Sequence, residues 1–423
     1  MRARVVVFTL LALVAGACGN RAGDEDSGEP AGDDGGTTEV STGSGAGATD
    51  VGVTDDTITI GVIADLTGVV PGLFKAAPDA VKAYAAMVND AGGIHGRQLV
   101  VEVFDTGTND NGNRLAYEEA CDAVFASVGS ESAFDTGGVE AVTECGFPHL
   151  AGFTTDDAID ELPFVFPRTT PEYANVGPAR WFAEELPDAV ANAAIVHGNI
   201  PVTERSADQL IEAREAVGWT FTYRQAAGTL ESNYTPIALE LKNRGIQALT
   251  WVYDVNNIVR LQKAMREQGV TIPLVDVTTQ GYSQDYLEAA GPAAEGSYVG
   301  LTHVLLEEAD EIPALEEYVT WLAEVAPDED PTSNGLQAWI RAEMFVEAAT
   351  AVGPELTRAA LIAELEGMTD FDADGLIPPI DVGDPVPKHG CFVIAQVRDG
   401  AYVRVFPESG FHCSADDVYR YGG

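Results

Sequence analysis

The sequence predicts an α/β fold of parallel sheets with helices on both faces, long enough for two such sheets. Three observations predict it. From Thr57 onward, near-continuous apolar strands alternate with amphipathic helical patterns, as strands buried on both faces require. Helix exits carry turn punctuation, at Cys145-Gly146-Phe147-Pro148, Val217-Gly218-Trp219 and Gln268-Gly269-Val270. Finally, 423 residues exceed one ordinary domain, and Phe166-Pro167-Arg168-Thr169-Thr170-Pro171 interrupts the pattern where a split would fall.

In chain order, residues 1–17 read as a secretory signal. Arg2 and Arg4 precede an apolar run at 5–14 that is too short to span a bilayer. Ala15-Gly16-Ala17 before Cys18 resembles the lipobox of bacterial lipoproteins, in which the cysteine is diacylated; Ala15 stands where leucine is usual. The alternative is an ordinary signal peptide with an incidental cysteine. Acyl chains on Cys18 would hold the protein on the outer face of the cell membrane. Residues 18–53 are acidic and rich in Gly, Ser and Thr, which predicts a flexible, disordered tether.

The folded part begins with a strand at 58–63 and a Gly/Pro-bearing loop, Asp65-Leu66-Thr67-Gly68-Val69-Val70-Pro71-Gly72. A helix at 79–89, a Gly-rich turn and a strand at 98–103 follow. Further strands fall at 124–128, 148–151, 193–196, 248–252 and 273–277, with helices at 113–122, 132–144, 203–217 and 256–268. Phe392 to Val397 and Ala401 to Val405 flank Asp399-Gly400, the signature of a β-hairpin.

A net charge of −44, from 67 acidic and 23 basic residues, excludes non-specific nucleic-acid binding and attraction to anionic lipid. The acidity reads as a solvated, self-repelling surface. Beyond Cys18, four cysteines in an exported chain favour disulfides; pairing nearest neighbours gives Cys121–Cys145 and Cys391–Cys413, one of three possible connectivities. Neither a metal-binding His-Glu-x-x-His helix, nor a Gly-x-Ser-x-Gly elbow, nor a phosphate loop is present, which argues against an enzyme. No cofactor and no metal are expected. Asp370-x-Asp372-x-Asp374-Gly375 imitates half of a calcium loop, but Pro378-Pro379 interrupts it and a turn is the simpler reading.

The strand Ile58-Thr59-Ile60-Gly61-Val62-Ile63 with Asp65-Leu66-Thr67-Gly68, followed by Asn89-Asp90-Ala91-Gly92-Gly93-Ile94-His95-Gly96-Arg97, resembles the N-terminal signature of the leucine/isoleucine/valine-binding family. These are type I periplasmic solute-binding proteins of ABC importers. Val124-Phe125-Ala126-Ser127-Val128-Gly129, Phe166-Pro167-Arg168-Thr169, Ala290-Gly291-Pro292-Ala293-Ala294-Glu295-Gly296 and Phe371-Asp372-Ala373-Asp374-Gly375-Leu376 match in order, so the resemblance covers residues 57–406. It implies two Rossmann-like lobes joined by three hinge crossings, near Thr170, His303 and 375–379. The first lobe would hold 54–170 and 304–375, the second 171–303 and 376–423. It also implies a monomer that delivers a small molecule to ABC permease subunits; a ligand-sensing module for a membrane receptor is the alternative.

The resemblance places the ligand's carboxylate on hydroxyls and amides of the first lobe. The matching residues are Ser130, Ser132, Gly152, Phe153 and Thr154, with Thr67 and Gly68 on the same wall. Ser132 reads equally as a helix N-cap, and Phe74 as either apolar contact or core. On the second lobe, Tyr253, Asp254, Gln280 and Tyr282 are the candidates, Asp254 for an ammonium group. The loop Asn199-Ile200-Pro201-Val202-Thr203 lacks the family's aromatic, and Gln280 stands where members that bind amino acids carry an acid. Those departures leave an amino-acid-like or carboxylate/amide ligand as the expectation.

Overall fold

The structure, a computed structural model, describes residues 47–68, 72–169, 171–228 and 231–422. The expected signal peptide, Cys18 and most of the expected tether lie outside them. The last tether residues are docked: Val53 is buried, and the Asp50 carboxylate accepts the Arg358 amide at 2.7 Å.

Five strands form the first sheet: β1 (Thr57–Ala64), β2 (Gln98–Asp105), β3 (Ala126–Glu131), β4 (His149–Phe153) and β5 (Val165–Phe166). They run parallel in the order β2-β1-β3-β4-β5. A short strand β6 (Tyr173–Asn175) leads to the second sheet. Its parallel part is β7 (Ala193–Gly198), β8 (Phe221–Ala227), β9 (Ala248–Val252), β10 (Leu274–Asp276) and β11 (Ser297–Leu301), in the order β8-β7-β9-β10-β11. The two orders are the same doubly wound pattern, and each reverses beside its first strand, where ligands of open sheets collect. An antiparallel edge of β12 (Gly390–Arg398) and β13 (Ala401–Phe406) extends the second sheet through a two-residue turn. That turn has φ of +54° at Asp399 and +81° at Gly400, which Asp-Gly tolerates. Two short strands complete the chain: β14 (His412–Ser414) pairs with β12, and β15 (Val418–Arg420) with β6.

Helices Ala76–Asp90, Pro313–Val325 and Ser333–Val352 share one core with the first sheet. Trp339 is 1% exposed and meets Tyr84 edge-on at 4.7 Å and Tyr318 at 5.3 Å. Leu376, Ile377 and Val382 belong to the same core, while Val393, Ala395 and Val397 belong to the second. Where the chain passes between lobes, the crossings brace each other: Val304 N–H donates to Leu376 O at 3.0 Å and Arg168 N–H to Val382 O at 2.7 Å. The acidic stretch at 370–375 is a turn, with left-handed Ala373 and Asp374 and the amides of Gly375 and Ile377 on Asp372 O.

Disulfides join Cys121 to Cys145, linking helices Asp110–Ala123 and Val139–Cys145, and Cys391 to Cys413, which face each other across β12 and β14. The helix expected at 132–144 is shorter. It begins at Val139, after a 3-10 turn Asp135–Gly138 in which a Cβ at Gly137 would lie 2.0 Å from Asp110 O. Among the described residues no helix is long and apolar enough to cross a membrane.

Candidate functional site

A cavity of about 480 Å³ is lined by residues of both lobes. From the first lobe come Leu73, Lys75, Glu329 and Asn334. From the second come Asp254, Asn256, Gln280 and Asp285. Each group sits where a strand or loop turns into a helix. Helices of 15, 13 and 20 residues start there, at Ala76, Val255 and Ser333, so their unpaired N–H groups and positive dipole ends face the same region.

Local chemistry fixes these starts. Asp254 caps its helix by accepting Asn257 N–H at 3.2 Å, and its second oxygen accepts Asn257 Nδ2 at 2.5 Å. Thr332 caps the long helix through Gly335 N–H at 3.0 Å, and Ser283 accepts Tyr286 N–H at 3.2 Å. Lys75 reaches Glu329 at 2.6 Å, and that bond holds its ammonium above the ordinary range. Carboxylates Asp254, Asp285, Asp328 and Asp330 therefore share the cavity with three helix N-termini and one paired lysine.

The structure brings Asp254, Gln280 and Tyr282 to this cavity, but Tyr282 only as a wall. It is 2% exposed, its hydroxyl donates to Glu307 at 2.5 Å and accepts Leu306 N–H at 2.6 Å, and burial pushes both it and Glu307 upward in pKa. Tyr253 packs over Gly198, where a Cβ would collide with its ring at 2.4 Å.

The first-lobe candidates lie elsewhere. Ser130 is 2% exposed; its hydroxyl accepts Ile63 N–H at 2.9 Å and bonds Ser127 at 2.6 Å. The Ser132 hydroxyl donates to Asp65 at 2.7 Å and accepts Phe134 N–H at 3.0 Å. Thr154 donates to Asp160. Gly152 leaves room for Glu131, whose carboxylate would lie 2.7 Å from a Cβ there. Phe153 is 40% exposed with its ring 5.7 Å from Phe74, and Phe74 itself is core. Thr67 is exposed and donates to Asp105 at 2.5 Å. Desolvation of Asp105 is outweighed by that bond and three backbone amides, so its carboxyl sits below the usual range. Gly68, at φ +104°, would drive a Cβ to 2.2 Å from Gly107 O, so only glycine fits. Lys75, Asp285, Glu329 and Asn334 were not anticipated. The loop Pro327-Asp328-Glu329-Asp330-Pro331, polar and bounded by prolines between two helices, was the signal for part of that set.

Two doubly wound lobes, three crossings and a cavity lined from both sides define a two-lobed binding fold. The chain belongs to the periplasmic binding protein family, whose model matches residues 57–401. Among curated proteins none matches in sequence. Of solved structures, the fatty acid ABC transporter substrate-binding protein from Thermomonospora curvata is similar at 20% identity and TM-score 0.73, covering 88% of this chain and 96% of that one. A branched-chain amino acid transporter substrate-binding protein from Streptococcus pneumoniae, in complex with isoleucine, has 15% identity and TM-score 0.68, covering 83% and 100%. A leucine-binding protein from Thermotoga maritima has 15% identity and TM-score 0.67, covering 82% and 98%. At these identities the likeness is one of fold.

Proposed function

We propose that this chain captures a small zwitterionic or amide-bearing solute between its lobes and passes it to an ABC permease, tethered to the membrane through Cys18. The observation that carries the reading is the cavity itself: helix N-termini suit a carboxylate, and Asp254 beside them suits an ammonium. Closure of the lobes would be a hinge motion stabilised by ligand contacts to both. The anion side of that ligand belongs with the amides at Ala76, Val255 and Ser333 rather than with the engaged hydroxyls of Ser130 and Ser132.

A thermal-shift screen over amino acids, amides and small carboxylates tests this. A ligand at 100 times its Kd adds about 2.7 kcal/mol. An upward shift with amino acids or their amides is expected; a shift confined to sugars or metal cations would retire the reading.

A further inference from the structure

A second cavity, of about 610 Å³, lies at the hinge and shares no lining residue with the cleft. All three crossings wall it, through Arg168, Thr302 and Ile377. Much of the wall is apolar: Pro167, Pro378, Pro385, Val386 and the Cys391–Cys413 disulfide.

Set into this wall is Arg341, from the helix Ser333–Val352, only 9% exposed. Its Nε donates to Ala151 O at 2.8 Å and its Nη2 reaches Gln337 at a long 3.4 Å, while its buried Nη1 has no hydrogen-bond partner. The neighbouring carboxyl of Glu131 likewise receives no hydrogen bond on either oxygen. Burial pushes Glu131 up in pKa and Arg341 down, to about 10, while the charge of each opposes the shift of the other. Nη1 is enclosed, so Nη2, held only by the long contact to Gln337, is the guanidinium donor left for the apolar space. The other cations are committed: Lys388 to Asp381, and Arg168 to Glu366 at 3.6 Å. Asp370 and Asp384 also line the cavity, but both are exposed, where water screens their repulsion.

We propose that the hinge cavity is a second ligand site, taking a small acid with an apolar body whose carboxylate pairs with Arg341. The pairing is a charge-assisted bond, and the prolines and Val386 take the hydrocarbon. Because each crossing contributes to the wall, occupancy favours one hinge angle, and binding here is linked reciprocally to closure of the cleft.

Calorimetric titration of the intact chain with phenylacetate and hexanoate, against phenylacetamide and hexanamide, tests the site. The acids are expected to bind at least about tenfold more tightly than the amides. Val386→Trp, at a position 45% exposed and so tolerant of change, should weaken them by a similar factor. Arg341→Gln should erase the preference for acid over amide; if that variant does not fold, Val386→Trp and the amide comparison still decide. Anomalous scattering from crystals soaked in 4-iodophenylacetate should place the iodine beside Pro378 and Val386. No binding of either acid at millimolar concentration, equal affinity for acids and amides, indifference to Val386→Trp, or iodine in the cleft beside Asp254 would each overturn the proposal.

Discussion

Ser132→Ala separates a ligand contact from an internal brace. The Ser132 hydroxyl donates to Asp65 Oδ1 at 2.7 Å and accepts the Phe134 amide at 3.0 Å. Asp65 is fully buried and would keep only the Ala133 amide, at 2.9 Å, and the Thr106 hydroxyl. Losing a bond to a buried charge costs about 1.5–3 kcal/mol, and the orphaned Phe134 amide adds about 1. The sum is about 3 kcal/mol. With a urea m-value of about 2–3 kcal/mol/M, the unfolding midpoint should fall by about 1 M. Circular dichroism follows the unfolding, and calorimetry follows the affinity for whichever solute stabilises the wild type. Affinity should stay within about threefold, because no atom of Ser132 lines the cleft. An unmoved midpoint with affinity weakened more than about tenfold would refute the reasoning, since the hydroxyl would then serve the ligand and not Asp65.

Other outcomes follow from the same geometry. Asp254→Asn keeps the cap to Asn257 N–H but turns the acceptor of Asn257 Nδ2 into a donor, so stability should fall by about 1–3 kcal/mol while affinity for an ammonium-bearing solute falls at least tenfold. Asp254→Ala should lose both, and calorimetry with urea unfolding reads the two effects apart. Burial, then Asp374, Glu347, Asp372 and Glu317, push Glu343 to about 8. The folded state thus holds this proton more tightly than the unfolded chain, and stability falls as pH rises from about 4.5 through about 8. Glu343→Gln should therefore match the wild type near pH 4.5 and exceed it by about 2 kcal/mol above pH 8, a figure discounted for a half-buried group. Parallel melting curves across that range would contradict it. Removing the Cys121–Cys145 bridge, which spans 24 residues, should cost about 3 kcal/mol in urea unfolding, and the wild type under reductant, which also opens Cys391–Cys413, should shift by more.

Much of the fold was legible because burial on both faces leaves its mark on the central strands, though not on the edge strands β2 and β8. β7 reads Ala193-Ala194-Ile195-Val196, apolar throughout and wholly buried, and could be placed from composition alone. Turn chemistry was equally local: Asp399-Gly400 sits in the left-handed backbone its residue types favour. The free state of a hydroxyl is not local. Ser132 precedes a helical pattern and follows a strand, as a ligand contact would, yet its partner Asp65 lies 67 residues away. Tyr282 lines the cavity, but that its hydroxyl is taken by Glu307, 25 residues on, is equally non-local.

The sequence by itself determined the alternation of strand and helix and turns such as Asp399-Gly400, since periodicity, caps and glycines act within a few residues. Tertiary structure alone decided which polar groups are spent and which remain. Ser130, Ser132 and Thr154 are spent inside the first lobe; Gln280 remains at the cavity, Asp254 lines it with both oxygens already accepting from Asn257, and Arg341 is left under-bonded at the hinge. The physical reason is that a buried donor or acceptor must find a partner wherever the fold places one, and that partner is set by packing across the lobe rather than by neighbours in the chain.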